Sequence, residues 1–177
     1  MAFDFKKLSI LVVEDTAPMR KLIVSVLETM EVGNIYSAED GEQGYELVRK
    51  HNPDIVIADW HMSPMNGIDF TNEIRTNTLS PNRMMPVVLV TGYSAMQRVG
   101  EARDVGVTEF LVKPFSANDL AKRIAYVINK PRDFIDTSDY FGPDRRRRVL
   151  PNFRGPFRRE EDGEKKGKTH PDDIEVR

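Results

Sequence analysis

Short runs of apolar residues recur through the first 130 positions, separated by stretches whose apolar residues repeat at helical spacing. The runs cover residues 8–13, 55–58, 87–90 and 109–112, with a weaker one at 34–38. Their length and largely continuous apolarity suit strands buried on both faces, as in a parallel sheet; a half-exposed strand would alternate instead. Between them, Met19, Leu22, Ile23, Val26, Leu27 and Met30 follow a helical repeat, with Pro18 tolerated in the first turn. Tyr45, Leu47 and Val48 predict a second helix after Gly41, and further helices are predicted over 67 to about 76 and over 95–104. A fifth carries Leu120, Ile124, Val127 and Ile128. It opens on Ser116 and Asp119 at capping-box spacing and ends before Pro131. Residues 77–85 read as a longer loop, since Pro81 and Pro86 break any helix there. Five strands alternating with five helices predict an α/β domain over residues 1–130, with helices on both faces of a parallel sheet.

Composition changes that picture at residue 131. Of the 47 residues from there to 177, 23 are charged, 10 are apolar and 5 are proline. Such a segment buries too little apolar surface to offset its ordering entropy, so it reads as a mostly disordered, mixed-charge tail. The 145–148 arginine run and the aromatics Tyr140, Phe141, Phe153 and Phe157 leave other readings open. One is a docking motif anchored on a partner or on the domain itself. Another is nucleic-acid contact, weakened by the acidic neighbours and the absence of a helix-turn-helix pattern. Binding of a nucleotide second messenger is a third, weakened because too few residues follow to build a barrel.

The chain has 177 residues, no cysteine and a formal net charge of −2. Without cysteine there is no disulfide scaffold, thiolate zinc site, iron–sulfur cluster or cysteine nucleophile. No run reaches the roughly 20 apolar residues that cross a bilayer, and the N-terminus has no signal-peptide pattern. The expectation is a soluble, cytoplasmic protein.

The chemistry collects at the predicted strand ends, where open α/β sheets form their sites. Glu14 and Asp15 follow strand one, Asp59 ends strand three, Thr91 ends strand four and Lys113 follows strand five. Any one of these could be no more than a solvated strand end, but four strands ending this way point to a site. If strands one and three are neighbours, the carboxylates crowd together and call for a cation between them. Hard oxygen ligands favour Mg²⁺. A carboxylate beside Mg²⁺ can act as a nucleophile toward phosphorus, with Lys113 and the Thr91 hydroxyl meeting the phosphoryl oxygens and Gly92 leaving room for them.

Four motifs, in order, carry a family resemblance: Val13-Glu14-Asp15, Asp59-Trp60-His61-Met62-Ser63-Pro64-Met65-Asn66-Gly67, Val90-Thr91-Gly92 and Lys113-Pro114-Phe115. Over residues 6–130 the chain resembles response-regulator receiver domains of the single-domain chemotaxis type. The resemblance implies a flavodoxin-like (βα)5 fold, doubly wound, with strand order 2-1-3-4-5. It implies that Asp59 accepts phosphate from a sensor histidine kinase or a histidine phosphotransfer protein. Glu14, Asp15, Asp59 and the backbone carbonyl of His61 would hold Mg²⁺. Thr91 and Phe110 would switch on phosphorylation, and Lys113 would pair with the phosphate or, before transfer, with Asp59. A cis bond before Pro114 would aim Lys113 into the site.

The family further implies output by protein contact through the helix four, strand five, helix five face, with no DNA-binding domain. Catalysis would be limited to self-phosphorylation and autodephosphorylation. His61 and Tyr93 occupy variable positions that tune phosphoryl lifetime, and Phe110 stands where tyrosine is often found.

A phosphorelay intermediate or phosphate sink shares all of this chemistry. A Mg²⁺-dependent phosphatase would need an acid two residues after Asp59, where His61 stands. A phosphate-independent binding module is disfavoured because every expected site residue is present. His51 and His170 read as surface residues, and Trp60, Met62 and Met65 as packing groups around the site loop.

Overall fold

The computed structural model describes residues 4–92 and 98–145. Its strands are β1 (Ser9–Val13), β2 (Asn34–Ala38), β3 (Ile55–Asp59), β4 (Val87–Gly92) and β5 (Glu109–Lys113). The helices are α1 (Ala17–Thr29), α2 (Gly41–His51), α3 (Gly67–Thr76), α4 (Val99–Val105) and α5 (Ala117–Asn129). The strands form one parallel sheet in the order β2-β1-β3-β4-β5. This is the doubly wound flavodoxin-like order expected from the resemblance. The predicted fourth helix begins later than expected among the described residues, at Val99; positions 95–97 lie outside them.

Alternate residues of the central strands feed two cores. Ile10 and Val12 of β1, Ile55 and Ile57 of β3, and Val88 and Val90 of β4 meet Ile23 and Leu27 of α1 and Leu120, Ile124 and Val127 of α5. Leu11, Val13, Val56, Ala58, Val87 and Leu89 face the other way and meet Val48 of α2 with Phe70 and Ile74 of α3. A strand packed on both faces needs apolar side chains at successive positions, which is why these strands read as continuous runs. The starts of α2, α3 and α5 are fixed by side-chain caps. Asp40 accepts from the Gln43 N–H, Asn66 from Ile68 and Asp69, and Ser116 with Asp119 forms a full capping box.

The compact unit runs through Arg145, because residues 131–145 fold back as an antiparallel hairpin of β6 (Phe134–Asp136) and β7 (Phe141–Pro143). Of the docking readings for the aromatic segment, Tyr140 and Phe141 follow the one in which it anchors on the domain itself. Residues 146–177, with Phe153 and Phe157, lie outside the described residues. Among the described residues no helix is long and apolar enough to cross a membrane.

Candidate functional site

Parallel pairing carries all strand C-termini to one edge of the sheet, so residues far apart in sequence converge there. β1 lies next to β3, which brings Glu14 and Asp15 against Asp59. One carboxylate oxygen from each of the three lies within 4.8 Å of the others. Glu14 is 2% exposed and Asp59 7% exposed, while Asp15 faces solvent. Lys113, the last residue of β5, reaches across the sheet edge. Its Nζ stands 2.7 Å from Asp59 Oδ1 and 3.2 Å from Glu14 Oε2. The other Asp59 oxygen, Oδ2, accepts the His61 N–H at 2.9 Å. The Thr16 N–H donates to Glu14 Oε1 at 3.1 Å.

The charges are unbalanced. Burial raises the Glu14 pKa above the ordinary glutamate value, and the negative charge of Asp59 adds to it; the Thr16 N–H and Lys113 oppose this without cancelling it. Burial alone would lower the Lys113 ammonium. The hydrogen bond and charge of Asp59, with Glu14, outweigh it and raise its pKa. Three carboxylates against one ammonium leave an excess of negative charge on hard oxygen donors. That donor set fits a divalent cation of the Mg²⁺ type and suits neither a soft nor a nitrogen-seeking metal.

The surroundings hold Asp59 tightly. Gly67, at the start of α3, donates its N–H to the Trp60 carbonyl at 2.9 Å. A Cβ on Gly67 would lie 2.3 Å from the Asp59 carbonyl oxygen and 2.6 Å from Leu89. Trp60 and Met62 are buried in the core beside the site loop, and Met65 packs against it. The His61 side chain is exposed. Thr91 is fully buried, with its hydroxyl donating to the Gly92 carbonyl at 3.2 Å. Phe110 of β5 is 8% exposed and joins the core cluster of Trp60. The Lys113–Pro114 bond is cis as expected, and so is Ser63–Pro64, which the sequence reading did not anticipate. Tyr93 lies outside the described residues.

Two arginines were missed. Arg20 of α1 donates to the Glu14 carbonyl at 2.7 Å and to Glu39 Oε1 at 2.9 Å, tying β1's exit to the loop after β2. Arg98, just before α4, holds its guanidinium 5.7 Å from the Trp60 ring centre. Both act on a carbonyl or a ring and leave no motif; only the position of Arg20, one turn into the helix after Glu14-Asp15, offered a signal.

The sequence profile of the response regulator receiver domain matches residues 10–125. The chain belongs to this family. As a receiver domain, it is 30% identical over 125 residues to chemotaxis protein CheY-3 of Vibrio cholerae serotype O1, covering 71% of this chain and 95% of that one. Among solved structures, Vibrio cholerae chemotaxis protein CheY4 superposes with a TM-score of 0.62 at 26% identity, over 68% of this chain and 98% of its own. The receiver domain of sensor histidine kinase PA1611 from Pseudomonas aeruginosa PAO1 shares the fold at 22% identity (TM-score 0.62; 70% and 98% covered), and its structure has a magnesium ion in the active site cleft. Receiver domains bind Mg²⁺ at an acidic pocket and work with histidine kinases or phosphotransfer proteins in two-component signalling. They are not enzymes in the ordinary sense. In this chain Glu14, Asp15 and Asp59 form an acidic cluster at the corresponding sheet edge.

Proposed function

We propose that this receiver domain is a phosphorylation switch whose acceptor is Asp59. The observation that carries the reading is the setting of that carboxylate. It is nearly buried at a strand end, one oxygen on the Lys113 ammonium and the other on a backbone N–H, beside two further carboxylates. Glu14, Asp15 and Asp59, with the His61 carbonyl, would hold Mg²⁺. Bound there, the ion would supply positive charge for the phosphoryl oxygens.

In the transfer, an Asp59 carboxylate oxygen attacks the phosphorus of a phosphohistidine on a sensor kinase or phosphotransfer protein. The O–P bond forms as the P–N bond breaks, and the bond's electron pair returns to the imidazole nitrogen. Lys113 then exchanges its contact with the Asp59 oxygen for one with the phosphoryl group. Thr91 sits at the end of the neighbouring strand, and its hydroxyl turns from the Gly92 carbonyl to a phosphoryl oxygen. Phe110, already buried, fills the space behind it. Hydrolysis returns the carboxylate, and the exposed His61 side chain and Tyr93 set how readily water reaches the phosphorus. The output is a change in protein contacts on the face built by α4, β5 and α5.

The test is acetyl phosphate with Mg²⁺, read by intact mass on wild type and on Asp59→Asn. A single phosphoryl adduct that needs Mg²⁺ and is lost in the variant is expected. An adduct that persists in Asp59→Asn, or none where a control receiver is modified, refutes the assignment.

A further inference from the structure

The β6–β7 hairpin is seated by contacts that converge on one place. Its turn is closed by the Thr137 N–H on the Tyr140 carbonyl at 2.9 Å and the Tyr140 N–H on Thr137 Oγ1 at 3.1 Å. Phe134 and Phe141 stand with ring centres 5.7 Å apart and cover two arginines. The Arg75 guanidinium lies 5.2 Å from the Phe134 ring centre, and that of Arg83 lies 4.0 Å from the Phe141 ring centre.

Arg75, on α3, is 1% exposed. Its Nε and one terminal nitrogen donate to the Gly106 carbonyl at 3.1 and 3.0 Å, and the other terminal nitrogen donates to the Arg83 carbonyl at 2.8 Å. Arg83 returns a bond from its Nε to the Arg75 carbonyl at 2.5 Å. Burial pushes the Arg75 pKa down to about 9, which still leaves it cationic at neutral pH. Its charge is therefore spread over main-chain oxygens, and it acts as a bracket.

Gly106 is where that bracket grips. It follows α4 directly, with φ at 98°, in the left-handed region that suits a glycine after a helix. Gly142 of β7 packs so closely that a Cβ on it would lie 2.9 Å from the Gly106 Cα. Arg145, at the hairpin's exit, pairs with Asp104 in the last turn of α4. Arg132, at its entry, donates to the Thr108 carbonyl at 3.0 Å, at the start of β5. The opposite end of α4 is held differently. There Arg98 is exposed, shares its guanidinium with Glu101, and lies over Trp60 beside Asp59.

We propose that the hairpin is a built-in clamp that pins the C-terminal end of α4 and leaves the end nearest Thr91 free to respond to the site. The pinning stands on the contacts alone; the response rests on the reading of Asp59 as phosphoryl acceptor. α4 is the connection between β4 and β5, whose ends carry Thr91 and Lys113. With one end fixed, a rearrangement at Thr91 becomes a pivot of this helix about Gly106.

Amide hydrogen exchange on the full chain tests both halves. The Gly106 and Val107 amides donate to Arg103 and Ala102 at 3.1 and 3.0 Å and report the pinned end. In Gly142→Val their exchange is expected to quicken about tenfold, with β1 and β3 unchanged. Asp104→Asn removes only the outer tie and is expected to quicken them about threefold in an intact fold. If Gly142→Val loses protection everywhere, Asp104→Asn decides. Unchanged exchange at Gly106 and Val107 in an intact variant overturns the clamp.

In the second arm, wild type carries an adduct verified by intact mass. Residues 98–102 are expected to exchange faster while 106–108 hold. The reverse pattern, or no difference between the ends, overturns the pivot. If no adduct forms, the acceptor reading fails, and the first arm alone judges the clamp.

Discussion

Replacing Lys113 by methionine tests the electrostatic account of the site without touching a carboxylate. In the wild type one ammonium lies 2.7 Å from Asp59 and 3.2 Å from Glu14. Without it, carboxylate oxygens within 4.8 Å of each other lose the ammonium that pairs with two of them. At an effective dielectric of about 20, a like-charged pair at that separation repels by roughly 3 kcal/mol. Breaking a fully buried ion pair costs about 3–5 kcal/mol. Two observations lower the figure here. The Lys113 side chain is 28% exposed, so water already screens part of the attraction. Asp59 and Glu14 also keep the His61 and Thr16 N–H groups.

A net loss of about 2 kcal/mol follows, or roughly 6 °C in Tm for a chain of this size. Urea unfolding in EDTA reads it. Mg²⁺ at about a hundred times its dissociation constant adds about 2.7 kcal/mol of stability by mass action, enough to offset the loss. Adding Glu14→Gln to Lys113→Met removes one of the stranded charges and is expected to recover about half of it in EDTA. A Lys113→Met protein with the wild-type urea midpoint in EDTA, or one that Mg²⁺ does not restore, refutes the argument.

Gly67→Ala places a Cβ 2.3 Å from the Asp59 carbonyl oxygen, which is backbone and cannot step aside; a loss of about 3 kcal/mol in chemical unfolding is expected, with weaker Mg²⁺ binding. The sole tryptophan, Trp60, neighbours Asp59 and gives a fluorescence titration for that binding. Thr91→Val keeps the buried shape but removes the hydroxyl; stability is expected to change by less than about 1 kcal/mol, while the acetyl phosphate adduct decays at an altered rate in a mass time course. Ser116→Ala breaks the capping box and is expected to cost about 1 kcal/mol. Asp119 is held below the ordinary aspartate value by the Ser116 N–H and hydroxyl. Its contribution is present above the unfolded pKa and fades as pH falls through the folded one, so wild type and Asp119→Asn should converge in urea midpoint on acidification below pH 3.8.

The sheet was legible because its chemistry is local. Ile55, Val56, Ile57 and Ala58 must be apolar in succession, since alternate residues fill opposite cores. The site was legible for the complementary reason: each strand end is where burial stops, and Asp59, Thr91 and Lys113 are polar groups placed at that edge. Strand order turned those ends into neighbours, and that step came from the family resemblance, since run lengths alone do not order strands. Arg98 was invisible because its partner is a ring far along the chain, and Arg20 left only its position as a signal, since its partners are the Glu14 carbonyl and Glu39. No spacing encodes such a contact.

The compact unit extends past the composition change at residue 131, and for a different physical reason. The composition argument counts apolar side chains, on the premise that a segment folds by adding to a hydrophobic core. Residues 132–145 fold by another route. Phe134 and Phe141 do not enter the sheet's cores; they lie as flat covers over guanidinium groups that belong to α3 and to the loop after it. Those guanidinium groups, with that of Arg132, donate to the carbonyls of Gly106, Arg83, Arg75 and Thr108. Each arginine supplies several in-plane donors and a stacking face, so a few of them can replace a larger apolar area. The polar character that marks the segment as a tail in sequence is thus the material of its attachment. The charge that makes Arg75 costly to bury is tolerable because it is spread over carbonyls that need donors.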